Sequence, residues 1–170
     1  MAIQLAVITH TNGHWFFYTA ENVVDEQGNG TVFEARGLEK RRERVVTYLA
    51  NPQRSQRFDE IHYIGEIHES DFNKVASVIR QIPIQNHVED WNCQNYVIDI
   101  MNELERLSFL DQSDLQYFRT RACIEEMMNL VYPYAGEDDE EEDNMDDRNK
   151  DAEPRHICSA EYIEDSSSEE

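Results

Sequence analysis

A chain of 170 residues suits one domain plus an appendage. It carries 15 Lys and Arg against 36 Asp and Glu, for a net charge of −21, and residues 136–170 alone hold 16 acidic and 3 basic side chains. A surface this acidic speaks against binding a nucleic-acid backbone, which needs clustered Lys and Arg, and against docking on anionic lipid.

Ile3, Leu5 and Val7 alternate with Gln4 and Ala6, the period of a half-buried strand. Thr11-Asn12-Gly13 is turn-forming, and residues 14–19 are dense in β-favouring aromatics. On a strand there, His14, Phe16 and Tyr18 share one face, and Trp15 and Phe17 share the other. Residues 25–30 read as a turn, and Thr31-Val32-Phe33-Glu34-Ala35 as a strand that returns in a hairpin. The charged cluster at 39–44 is expected to be a solvated loop or hairpin end. Residues 45–49 read as a strand that Asn51-Pro52 ends, and the alternation around Ile61, Tyr63 and Gly65 as another.

Glu69-Ser70-Asp71 opens a helix with Phe72, Val75, Ala76 and Ile79 on one face, and Pro83 ends it. Asn92 is the expected N-cap of a second helix, because its short side chain can accept a backbone N–H left unpaired at a helix start. Val97, Ile100, Met101, Leu104 and Leu107 form its apolar face. A last helix runs from Ser113-Asp114 to about Leu130, with Leu115, Phe118, Ala122 and Met128 expected to face the core. From Glu137 the sequence is acidic and of low complexity, with too few apolar residues to offset the ordering entropy. The expected architecture is an α+β domain over 1–135, a small antiparallel sheet with helices packed on it, followed by a disordered acidic tail over 136–170.

The three cysteines, Cys93, Cys123 and Cys158, show no CxxC pair and no metal-ligand spacing. The first 15 residues lack the basic start and apolar run of a secretory leader, and no stretch reaches the ~20 apolar residues of a membrane span. Together with the odd cysteine count, this reads as a reducing compartment: intracellular, cytoplasmic or nuclear. Cys123 is expected in the core and Cys158 exposed in the tail. Ser166-Ser167-Ser168-Glu169-Glu170 reads as an acidophilic kinase site, and the tail as a solvated segment or a docking arm for a basic protein partner.

Cys93 falls in the first helical turn, where the positive end of the helix dipole favours thiolate over thiol. Thiol chemistry also needs a base to share the proton and a group to orient that base. The chain offers His14 as the base, on a strand, and Glu34 as the orienting acid, on the neighbouring strand. His62 and His68 are alternative orienting partners. The Cys93 N–H could hold an oxyanion, with Gln94 and Asn92 as secondary donors. His10 and His14 with Cys93 could ligate zinc, but no fourth ligand presents itself, so no metal or cofactor is assigned. Each residue also has a plainer reading: Cys93 as a buried inert thiol, His14 as a packed strand histidine, Glu34 as an exposed strand carboxylate and Asn92 as a cap.

His14-Trp15-Phe16-Phe17-Tyr18 and Asn92-Cys93-Gln94-Asn95-Tyr96-Val97 resemble two motifs of the circularly permuted papain-like (NlpC/P60-like) group, whose lecithin:retinol acyltransferase and H-rev107-type members pair a His-Trp-x-x-Tyr strand with an Asn-Cys-x-x-Phe-Val helix start. The resemblance covers roughly 1–107 and is shared with fungal proteins that carry both motifs. It implies a thiol hydrolase or acyltransferase with Cys93 as nucleophile, His14 as base and Glu34 where the group usually has a second histidine. The acyltransferases usually follow the cysteine with Glu-His, where this chain has Gln94-Asn95, and no C-terminal apolar anchor is seen. PPPDE-type isopeptidases belong to the same broad group, so the implied substrate is an ester, a lipid or a peptide amide. The departures also motivate a second expectation, a catalytically inactive binding module or scaffold.

Overall fold

The structure, a computed structural model, describes residues 1–25 and 27–129. They belong to a compact unit spanning Met1–Asp138. The expectations for the acidic tail, Cys158 and the serine cluster fall outside the described residues.

Among the described residues five strands form one sheet: β1 (Ala2–His10), β2 (Trp15–Ala20), β3 (Gly30–Arg36), β4 (Glu43–Ala50) and β5 (Phe58–His68), in the order β4-β3-β2-β1-β5. Every neighbouring pair is antiparallel. Three α-helices follow among the described residues, α1 (Phe72–Gln81), α2 (Cys93–Arg106) and α3 (Leu115–Asn129), so the domain is α+β, as its sequence predicts.

Successive hairpins lay β1 to β4 side by side, and β5 then joins the far side of β1. The chain must therefore cross from one edge of the sheet to the other, about 19 Å for four strand spacings if the sheet were flat. It crosses over one face. Pro52 is buried there, Gln53 Nε2 donates to the Val23 carbonyl at 2.6 Å, and Asn51 Nδ2 donates to that of Gly28. Under this crossing lies a small apolar cluster of Ala6, Ile8, Phe16, Tyr18 and Val32. The opposite face carries Leu5, Val7, Trp15, Phe17 and Phe33 against Val75 and Ile79 of α1 and Tyr96, Val97, Ile100, Met101 and Leu104 of α2. Both faces being covered, β1 is apolar through Leu5–Ile8 rather than alternating.

Three expectations need correction. α3 buries Tyr117 and Ile124, with Met128 packed beside them, while Leu115 and Phe118 are 60% and 62% exposed and Ala122 is exposed. This helix has apolar residues on two sides, and polar pairing decides between them. The Tyr117 hydroxyl bonds Glu105 of α2, and Arg121 bridges Glu105 (2.5 Å) and Asn102 (2.6 Å). These bonds form only with the Tyr117 side turned inward. Cys123 is half-buried rather than core, and Cys93 is a free, buried thiol.

The cluster at 39–44 is only partly solvated. Arg42 is buried, its Nη1 donating to the Gly37 carbonyl at 3.0 Å. Its backbone N–H and C=O exchange two 2.9 Å bonds with the Asn86 side chain. Arg44 donates to the Tyr96 hydroxyl at 3.2 Å and to the Ile82 carbonyl. The cluster thus ties the β3–β4 hairpin to the segment that leads into α2.

Candidate active site

The start of α2 is fixed locally. Asp90 adopts a left-handed conformation (φ 61°), and the buried Trp91 anchors the next step by donating Nε1–H to Asp99 at 3.1 Å. Asn92 is extended (φ −143°), and its side-chain oxygen accepts the N–H groups of Gln94 (2.8 Å) and Asn95 (3.4 Å). The Asn95 side chain accepts the Asn92 N–H at 2.9 Å, completing a reciprocal capping box. Cys93 is therefore the first helical residue. The Tyr96 N–H goes to the Asn92 carbonyl, which leaves the Cys93 N–H as the first-turn amide with no partner among the described residues. Asn92 itself is occupied as a cap, so it is no free donor.

His14 follows the turn between β1 and β2. Gly13 takes φ 81°, a conformation that suits glycine, and the Asn12 side chain accepts the His14 N–H at 3.2 Å. Gln94, the residue after Cys93, reaches across and donates Nε2–H to the Gly13 carbonyl at 3.0 Å. The expected secondary donor is thus a clamp holding the His14 turn against the Cys93 helix.

Glu34 meets His14 from β3. Its Oε2 accepts the His14 Nε2–H at 2.7 Å, and its Oε1 accepts an Arg36 N–H at 2.6 Å. Nε2 being engaged, Nδ1 is the ring nitrogen left for Cys93, whose thiol lies near enough to raise the His14 pKa. All three groups are withdrawn from solvent: Cys93 is 0% exposed, His14 3% and Glu34 4%. The structure brings Cys93, His14 and Glu34 together. It does not bring His62 or His68, whose nearest polar partners are Glu60 and Ser70.

The charges are strongly coupled. Burial would by itself lower the His14 pKa, but hydrogen bonds to Cys93 and Glu34, with the attraction of both, outweigh it and raise the value to about 10. Burial likewise pushes the Glu34 carboxyl up, and the hydrogen bond and charge of His14, then Arg36, bring it below its usual range. His10 behaves oppositely. Burial, then the repulsion of His14, lowers it to about 4, and its ring stands edge-on to Phe16 at 4.8 Å and 6.2 Å from the His14 ring. No group of three or more metal-ligating side chains occurs among the described residues. Sequence reasoning missed Arg36, although spacing i, i+2 on one strand puts it on the same face as Glu34.

Residues 3–111 match the model of a family described as a family of unknown function (DUF6540), and the chain belongs to that family. No curated protein and no solved structure matches it. No helix among the described residues is long and apolar enough to cross a membrane.

Proposed function

We propose that this DUF6540 protein is a thiol-dependent hydrolase or acyl-transfer enzyme acting on an ester or amide. The observation that carries the reading is the buried chain of contacts from Cys93 through His14 to Glu34, with His14 bonded to Glu34 at 2.7 Å. In this reading the Cys93 proton already rests on His14 Nδ1, and the thiolate Sγ attacks the carbonyl carbon. The carbonyl π electrons move to oxygen, and the Cys93 N–H at the start of α2 faces the oxyanion. Collapse expels the alcohol or amine, which takes the proton from His14 and leaves a thioester on Cys93. Water or a second acceptor then gives His14 a proton, attacks the thioester and returns the thiolate. Glu34 keeps the ring oriented and stabilises the imidazolium. Positioned acid–base transfer of this kind contributes about 10²–10⁴-fold. The permuted papain-like resemblance of the two motifs supports the same reading, and the family match leaves it open.

One observation favours a second reading. A sulfur with no exposed surface is out of reach of a carbonyl in this conformation, as a non-catalytic binding module would allow. The two are separated by the pH dependence of Cys93 alkylation by iodoacetamide, read by peptide mass spectrometry, with and without His14→Ala. The enzyme reading expects alkylation at neutral pH that His14→Ala slows about tenfold or more, followed by turnover of ester or amide probes that Cys93→Ala abolishes. Alkylation that is indifferent to His14 would overturn it in favour of the binding module.

A further inference from the structure

A carboxylate that orients a histidine through a catalytic cycle meets a changing neighbour. While His14 carries its proton, Glu34 faces a cation; once His14 gives that proton away, Glu34 faces a neutral ring. Glu34 is 4% exposed, and a carboxylate so buried with no cation beside it would itself take up a proton. A protonated Glu34 could no longer accept Nε2–H on that oxygen with the same strength, and the ring would lose its fixed tautomer. The site therefore needs a cation beside Glu34 that does not come and go with the reaction.

Arg36 meets that description. Its guanidinium lies 2.6 Å from Glu34 Oε1, the oxygen His14 does not use, and arginine stays charged throughout the working pH range. The other charged or titratable groups facing Glu34 cannot take the role. His14 is the group that changes, His10 is neutral, and Cys93 brings no positive charge. The β4 residue paired with Glu34 is Val45, and the neighbouring Arg44 is turned to Tyr96 and Ile82. Holding Oε1 also fixes the plane of the carboxylate, which aims Oε2 at Nε2.

We propose that Arg36 is a positioning residue, a permanent counter-ion that keeps Glu34 ionised and aligned in the part of the cycle when His14 is neutral. The inference rests on the thiol-enzyme reading for its role in turnover, but not for its effect on Glu34. Arg36 is itself 51% exposed, so a merely decorative surface pair is the rival account.

The test uses the full chain with ¹³C-labelled glutamate, Glu34 being assigned by its absence in Glu34→Gln. Wild type, Arg36→Met and Arg36→Lys are titrated by NMR, and Cys93 alkylation is followed over the same pH range. In Arg36→Met the Glu34 carboxyl is expected to take up its proton at higher pH. The alkylation rate on the acid limb should fall about threefold to fivefold, the size of a half-exposed ion pair. Arg36→Lys, which keeps the charge without the planar fork, should restore most of both. A Glu34 titration unmoved in Arg36→Met overturns the proposal, as does recovery in Arg36→Lys no better than in Arg36→Met. Alkylation that ignores His14→Ala as well would instead refute the thiol-enzyme reading, while the carbon titration still decides the role of Arg36.

Discussion

Glu34→Gln probes the site with the least change of shape. The single amide oxygen of glutamine can serve only one of the two donors that Glu34 serves now, His14 at 2.7 Å and Arg36 at 2.6 Å. His14 is 4% exposed on its side chain and cannot turn to water, whereas Arg36, at 51%, can. The amide should therefore settle with its oxygen on Nε2 and its NH₂ toward a displaced Arg36. Orientation of the ring survives, but the charge behind it does not. A hydrogen bond to a charged group contributes about 1.5–3 kcal/mol and a neutral one about 1 kcal/mol. The lost difference, about 0.5–2 kcal/mol, lowers the proton affinity of His14 about twofold to thirtyfold from a pKa of about 10. The assay is an imidazole ¹⁵N titration of wild type and variant, with urea unfolding beside it to show that the fold is kept. A His14 titration unchanged in Glu34→Gln would refute the claim that Glu34 holds the proton on His14.

Cys93→Ala should remove all turnover and site-specific alkylation while changing stability by only about 1 kcal/mol, the scale of one buried group, as read by urea unfolding. Gln94→Ala removes the bond to the Gly13 carbonyl and should cost about 1 kcal/mol and slow Cys93 alkylation; an unchanged rate would show that the clamp does not hold His14 in place. Leu104→Ala, at a fully buried position of α2, should destabilise by about 2–5 kcal/mol in the same unfolding assay. Stability should peak near pH 6.5. His14, raised to about 10, contributes fully below 6.5 and loses that contribution as pH rises toward 10, whereas His10 and His62, both lowered by burial first to about 4, cost stability as pH falls from 6.5 to 4. Urea midpoints across pH 4–10 check this, and the acid side should be the steeper because two histidines act there against one.

Much of the fold was legible because local and long-range demands agreed. Ile3, Leu5 and Val7 mark the face of β1 that the helices cover, and Asn92 with Val97, Ile100, Met101 and Leu104 marks both the start and the buried face of α2. The face of α3 was not legible. Counting apolar residues favours Leu115 and Phe118, whereas the fold follows Tyr117 and Arg121, whose partners Glu105 and Asn102 stand on another helix. Arg42 and Arg44 were hidden for a related reason. In a run of six charges nothing local marks the two whose side chains find carbonyl acceptors at Gly37 and Ile82. The crossing from β4 to β5 over a sheet face is a matter of topology, which no periodicity encodes.

The site itself was read from residue types and order, and its one unexpected member follows from its most unusual one. In the group that the two motifs resemble, a second histidine usually stands where this chain has Glu34. An imidazole there would present one acceptor nitrogen and no negative charge. Glu34 presents two oxygens and a full charge, which is why His14 holds its proton to about 10 and why a second donor can be seated at all. Arg36 takes that second oxygen, and the two residues are coupled through it. Glu34→His would leave the Arg36 guanidinium facing an imidazole that gains nothing from its charge, and His14 would lose its anion. The exchange that looks like a return to the common pattern should therefore impair this site more than Glu34→Gln does, unless Arg36 is removed with it. A Glu34→His variant that keeps the His14 titration and the Cys93 alkylation profile of the wild type would show that position 34 is read by shape alone.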